Sequence, residues 1–403
     1  MTLGVRSTRI EPSGSLLNHT PDVAWIHHEL AMVGWGEAAR IDAGLGDGRF
    51  GRAGEAWSGL VEGAAVEDEV NRPGSGLVGF GSFTFDGRSP GSAIIVPQVL
   101  IGRSGGGWWL TTVDGADPEP YLQSGADDPR AGDRPRYAGA SIPDVMWIEA
   151  VAEAVRRIEA GEIEKVVLAR DVAVWSKAPF DRRVVLQRLH DRFPECFTFL
   201  VDGLVGASPE LLVRLRDRTV ESLALAGSAR RDPDPEEDWL VGKALLSSDK
   251  DRREHEAAAA SVGAALGEVC RTLERDAEPW LLRLANVQHL ATRFRGELGE
   301  RRPVLDVVGR LHPTAAVGGT PTGLAIDLIR HLEGMDRGRY AGPVGWLDHH
   351  GDGDWAIALR CAELSGARAR LFAGAGIVAG SLPENELEET RLKLRAMMGV
   401  LEG

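Results

Sequence analysis

Cys196–Val201, Glu210–Arg216 and Val220–Ala226 are three apolar-rich segments separated by short connections. A parallel strand pair needs a crossover of about a dozen residues or more, which these gaps do not supply, so antiparallel pairing is favoured. That argues against a doubly wound parallel sheet. Neither G-x-G-x-x-G after a strand nor G-x-x-x-x-G-K-[ST] occurs in a suitable context. The flanking pattern is mixed. A helix is expected over 143–160, where Trp147, Val151, Ala154, Val155 and Ile158 recur at helical spacing and Gly161 closes the run. Lys165–Trp175 reads as a strand, about Asp181–Arg192 as a helix, and Pro235–Glu274 as a long helix with a break near Ser247. Strands follow at Asn286–Leu298, Gly342–Leu347, Trp355–Ala362 and Arg370–Val378, before a last helix over Pro383–Leu401. Residues 1–120 read as strands and turns, for example Gly76–Phe85 and Ala93–Pro97. The breaker-rich Ser124–Arg136 is the best linker between that part and a region spanning 140–403.

Composition narrows the function. The 403 residues are 43% hydrophobic, ample for a large core, and carry a formal net charge of −14 without a basic block. Nucleic acid is therefore not an expected partner, and an anionic substrate would need local positive charge in its site. Cys196, Cys270 and Cys361 are widely spaced and odd in number, which fits a reduced, cytoplasmic chain better than a disulfide framework. The N-terminus lacks a signal-peptide apolar core, and no run of about 18 apolar residues is present to span a bilayer.

The densest chemistry lies in Ala373–Thr390, a glycine-rich apolar run that passes through Ser381 and Pro383 into an acidic helix start. Glycines allow close backbone approach, free N–H groups before a helix suit an anion, and the acids suit a hard cation such as Mg²⁺. Two acid pairs, Asp251 with Glu254 and Glu386 with Glu389, each lie three residues apart on a helix and so share a face. Two such helices facing each other would hold one Mg²⁺; the bland alternative is a solvated acidic face paired with Arg252 and Arg253. Lys165 opens a strand with Val167 and Ala169 on its face. Half-buried there with a lowered pKa it would be a base, and otherwise an exposed strand end. Glu210 follows a tight turn and enters an apolar strand, where burial would raise its pKa and fit it as an acid; the alternative is a turn residue capping a backbone amide. Leu225–Arg231 ends a strand with small residues, a substrate wall or a simple turn. His289 on its strand reads more simply as structural. Arg360 follows an apolar strand, where a cation needs an anionic partner, so it is a candidate carboxylate clamp.

In order along the chain, Lys165–Arg170, Gly206–Glu210, Leu225–Ser228, Glu254–His255, Gln288–Leu290, Leu311–Thr314, Tyr340–Gly345 and Gly374–Glu389 resemble the chorismate-binding enzymes from about Asp144 to the C-terminus. That family includes isochorismate synthases, salicylate synthases and the large subunits of anthranilate and aminodeoxychorismate synthases. The resemblance implies an α/β fold of α+β type like anthranilate synthase component I: two intergrown halves, stacked antiparallel sheets and outer helices. It implies Mg²⁺ held directly by Glu254 and Glu389, with Asp251 and Glu386 assisting through water. It also implies Lys165 as base and Glu210 as acid, with a substrate site at Ala226, Gly227, Ser228, His289, Ala316, Tyr340, Arg360, Gly374, Ala375, Gly376 and Lys393.

Within the family, Lys165 resembles the base of members that activate water, where similar ammonia-using enzymes carry another residue. Aminodeoxychorismate synthases typically place a nucleophilic lysine where Ala226 stands. No cysteine–histidine arrangement resembles a fused glutaminase, and no glutaminase subunit is expected. Salicylate synthases usually carry a threonine at the position of Ala316. The resemblance thus implies an isomerase acting on chorismate, an isochorismate synthase, with salicylate synthase as the alternative.

Overall fold

The computed structural model describes residues 3–11, 15–122, 134–285 and 287–403. The expected linker lies outside the described residues over 124–133, as does Asn286. Among the described residues the strands form two sheets, one of 13 strands and one of 10, antiparallel except where Gly4–Ile10 runs parallel to Ala65–Asp68. Two antiparallel-rich sheets with helices packed on them are the α+β architecture expected from the sequence.

Both sheets run through both parts of the chain. In the larger sheet Val23–His27 pairs with Phe197–Val201, and in the smaller one Val78–Ser82 pairs with Pro343–Asp348. A hydrophobic core containing Trp25, Phe80, Phe83, Trp346 and Trp355 draws on both sheets. Helices Arg182–Arg192 and Pro383–Glu402 bury Leu186, Leu189, Met397 and Val400 against the other face of the larger sheet. Helix Asp144–Glu159 buries Trp147, Val151, Ala154 and Ile158 on one stripe, and the Trp147 indole donates to the Ala169 carbonyl at 3.1 Å.

Three local expectations are corrected. The helical segment expected over Pro235–Glu274 breaks where expected, into Pro235–Ser247 and Asp249–Gly267, but its end is not helical: Cys270–Arg275 is a strand. Ser248 separates the helices because its extended backbone ends the first while its hydroxyl accepts from the Asp251 N–H and caps the second. Trp355–Ala362 is not one strand. Gly353–Ile357 belongs to the smaller sheet and Cys361–Ser365 to the larger, with Arg360 at the corner in the left-handed region (φ 45°). Of the three crowded segments, the second and third do pair antiparallel, Leu211–Arg216 with Thr219–Arg230. The first pairs instead with an unforeseen strand, Leu204–Ser208, in the other sheet.

Candidate active site

The strand Lys165–Trp175 lies beside Arg368–Ile377 in the larger sheet, and across from them Thr219–Arg230 lies beside Val287–Leu298 in the smaller. A cavity of about 320 Å³ opens between these strands, and the helix starts at Asp249 and Pro383 complete its wall. Every residue expected at the site lines it except Ala375.

Ala375 fails for a reason of register. Side chains alternate along a strand, so Gly374 and Gly376 face the cavity while Ala375 points into the core beside Val166 and Leu168. The glycine run is a strand, as expected for Arg370–Val378, and it spans Arg368–Ile377. Its cavity edge is nevertheless open. Val167 N–H donates to Gly318 O and Ala169 N–H to Glu333, so Gly376 and Gly374 form the non-hydrogen-bonded pairs with those residues. Their own amides therefore point away from the Lys165 strand. The neighbour on that side, Cys361–Ser365, pairs no further than Ala362 with Leu371. Glycine at 376 also makes room, since a Cβ there would sit 3.2 Å from both Lys165 Cε and Glu254 Oε1.

Lys165 is buried, and its Nζ meets Glu254 Oε1 at 2.8 Å. Glu210 is buried too. Desolvation drives its carboxyl up to about 8, with Lys165 and Arg360 only partly opposing the rise, so it holds its proton at neutral pH. Tyr340 stacks on Phe372 at 5.1 Å, and burial pushes its phenol above the ordinary value.

Gly227 (φ 72°) forms a bulge between Ala226 and Ser228, so Ser228 lands opposite His289. Ser228 Oγ is 2.7 Å from His289 Nδ1, and His289 Nε2 is 3.2 Å from Arg360 Nη2. Burial, then the nearby cations Arg360 and Lys393, keep His289 neutral. Among the described residues no carboxylate pairs with Arg360; its other neighbour is Cys196 Sγ at 3.9 Å. A second arginine, Arg337, also reaches the cavity, but Glu333 and the carbonyls of Val317 and Val167 occupy its donors. The sequence reading missed this pair, although Glu333 and Arg337 stand at helical i,i+4 spacing. Lys250 was missed as well, flanked by two acids that drew attention away from it.

All four acids expected to serve a metal face this cavity from two helix starts. Glu254 is paired with Lys165, and Glu389 with Lys393 at 2.7 Å, which holds Glu389 below its ordinary value. Burial raises Glu386, and Glu389 adds to the rise. Among the described residues no three acid, histidine or cysteine side chains converge closely enough to form a metal cage. An all-carboxylate donor set of this kind suits a hard cation whose remaining ligands are substrate oxygens and water. A cation would also relieve the charge carried by Glu386 and Glu389, so the residues fit Mg²⁺.

Residues 23–402 match the family model described as chorismate binding enzyme. The chain belongs to the chorismate-binding enzymes. It is 33% identical over 405 residues to isochorismate synthase MenF of Bacillus subtilis, covering 93% of this chain and 86% of that protein. It is 36% identical over 418 residues to the salicylate biosynthesis isochorismate synthase of Pseudomonas aeruginosa, covering 95% and 85%. The menaquinone-specific isochorismate synthase MenF from Escherichia coli superposes with a TM-score of 0.83 at 26% identity, over 100% of this chain and 95% of that one. Anthranilate synthase component I from Streptococcus pneumoniae shares the fold, with a TM-score of 0.72 at 22% identity over 93% of each chain. Among the described residues no helix is long and apolar enough to cross a membrane.

Proposed function

We propose that this enzyme is an isochorismate synthase, converting chorismate to isochorismate by adding water at C2 of the ring and removing the C4 hydroxyl. The observation that carries this reading is a protonated Glu210 sharing one cavity with Lys165 and with an arginine that no carboxylate neutralises. Lys165, acting in its unprotonated amine form, takes a proton from the water whose oxygen bonds to C2, the ring double bonds shift, and the C4–O bond breaks. Glu210 gives its proton to the departing oxygen, which leaves as water. Lys165 ends protonated and Glu210 ionised, and a proton returned through solvent resets the pair. Arg360 and Tyr340 receive one substrate carboxylate, and the amides of Gly374 and Gly376 the other.

Mg²⁺ would be held by Glu254 and Glu389, with Asp251 and Glu386 through water. When bound it supplies charge neutralisation at a substrate carboxylate. Ala316 on the cavity wall has no hydroxyl to assist loss of pyruvate, which favours release of isochorismate over a salicylate synthase reaction. Alanine at 226 offers no amine nucleophile, which favours water as the attacking group with no glutaminase partner.

The test is a product assay on chorismate with and without Mg²⁺. Isochorismate that depends on the metal, without pyruvate, is expected. Appreciable pyruvate in the absence of an added lyase would turn the reading to a salicylate synthase.

A further inference from the structure

We propose that His289 is a positioning residue: held as its Nδ1–H tautomer, it aims the Arg360 guanidinium through Nε2 and turns the Ser228 hydroxyl proton into the cavity. The proposal rests on the isochorismate synthase reading only for the identity of the ligand these groups meet.

The proton count is forced by the partners. A guanidinium only donates, so Arg360 Nη2 donates to His289 Nε2 across 3.2 Å, and that nitrogen carries the lone pair. A neutral imidazole then has its proton on Nδ1, 2.7 Å from Ser228 Oγ. Nδ1–H donates to the hydroxyl oxygen, and the hydroxyl's own proton is free for an acceptor in the cavity. Arg360 and Lys393 are the charged groups facing the ring, both cations, and with burial they oppose a second proton. The two contacts therefore persist across the physiological range.

The arrangement solves a problem of orientation without neutralisation. A carboxylate would hold Arg360 more tightly, but it would cancel the charge an anionic ligand needs, as Glu333 does for Arg337. A neutral acceptor fixes the direction of the guanidinium and leaves its charge intact. Backbone geometry supports the same chain of contacts. The Gly227 bulge sets Ser228 directly across the ladder from His289, and the corner at Arg360 brings the guanidinium from the seam between the sheets.

The test uses the full chain with histidine-selective ¹⁵N labelling, and kinetics of four single variants and a double one. His289 should show the Nδ1–H tautomer from pH 5.5 to 8, identified by loss of its signal in His289→Gln. His289→Leu should raise the KM for chorismate roughly 10- to 100-fold, the scale of a lost hydrogen bond to a charged group. His289→Gln, whose amide oxygen can replace the Nε2 acceptor, should recover most of that loss. Ser228→Ala should give a smaller increase of about several-fold. In the Arg360→Gln background, His289→Leu should add little further. The proposal is overturned by an Nε2–H tautomer, by a His289 signal that titrates within that range, by Gln behaving no better than Leu, or by full additivity with Arg360→Gln. If the unmodified enzyme does not convert chorismate, the function above fails while the tautomer measurement still judges the relay.

Discussion

Replacing Glu210 with glutamine should make the protein more stable while disabling it. The carboxyl sits in the fold at about 8 against an ordinary 4.5, because burial disfavours its charge. At 1.36 kcal/mol per tenfold, that difference amounts to about 5 kcal/mol of strain against ionisation. The sign follows from linkage: the raised value favours the fold at pH below 4.5, and that advantage is lost as pH rises from there through 8. Over that window the unfolded chain gains free energy by ionising Glu210 and the folded chain does not. Glutamine has nothing to ionise, so it removes the loss. Relative to the parent, the stability gain of Glu210→Gln should grow from roughly 1 kcal/mol at pH 5 to roughly 4 kcal/mol at pH 8. Urea unfolding of both proteins at the two pH values measures it, and other titrating groups cancel in the comparison. Turnover should fall by about 10²- to 10⁴-fold, since the amide cannot donate a proton to a leaving hydroxyl. A stability gap that is flat between pH 5 and pH 8 would refute the buried-acid argument, whatever happened to activity.

Lys165→Ala should reduce turnover by about 10²-fold or more while chorismate binding survives, read by steady-state rates and by titration of ligand. Binding lost together with turnover would instead make Lys165 a substrate anchor. Glu389→Gln should weaken the response of the rate to added magnesium, because one anionic ligand is removed; an unchanged magnesium titration would return Glu389 to the role of an ion-pair partner for Lys393. The two cavity arginines should part company. Arg337→Ala should cost about 3–5 kcal/mol of stability by stranding Glu333 in the core. Arg360→Ala should cause no comparable loss, because it removes an uncompensated buried charge and strands no carboxylate, and should raise KM on the order of 10²-fold. Equal stability losses in a denaturant series would contradict that division.

Most of the site could be read from residue types in order, because its chemistry is carried by short local motifs. Lys165 opens a β-branched strand, Glu210 follows a turn, and the acid pairs recur at helical spacing; each signal spans only a few residues. The misreadings came where a residue's role depends on pairing across the sheet. Whether position 375 or its neighbours face the cavity is a matter of strand parity, and one residue of register moves every side chain to the opposite face. The run from Trp355 to Ala362 is apolar except for Arg360, and a single charged residue does not by itself tell a corner between two sheets from a polar position within one strand. Cys196–Val201 and Glu210–Arg216 look like neighbours in sequence, but Leu204–Ser208, short and rich in small residues, takes the pairing position on the first, while Leu211–Arg216 joins the other sheet. Ser248 shows the opposite case. A capping serine before an acidic turn is a local signal, and the helix break near it was legible.

The contrast between Arg337 and Arg360 shows why formal charge in a cavity is a poor guide to ligand binding. Both guanidiniums reach the same cavity, and both stand within a few residues of apolar strands. Arg337 hydrogen-bonds to Glu333, Val317 and Val167, so an incoming anion would have to displace contacts already made in a buried setting. Glu333 in turn accepts from the Ala169 amide, which ties this ion pair to the same strand that carries Lys165. Its charge is spent on holding that strand in place. Arg360 has a neutral histidine and a weakly accepting thiol for neighbours, so desolvation of its charge is uncompensated and its guanidinium is held below the usual value. An uncompensated buried cation is costly to the fold unless a ligand supplies the missing anion. The energetic deficit at Arg360 is therefore the attractive force of the site, and burial of Glu210 is its counterpart on the acid side: both groups are kept in the charge state that water alone would satisfy or remove. A cavity that concentrates unmet demand at these two points, while Arg337 is closed in an ion pair with Glu333, is built around a ligand that brings one carboxylate and one leaving hydroxyl to those points.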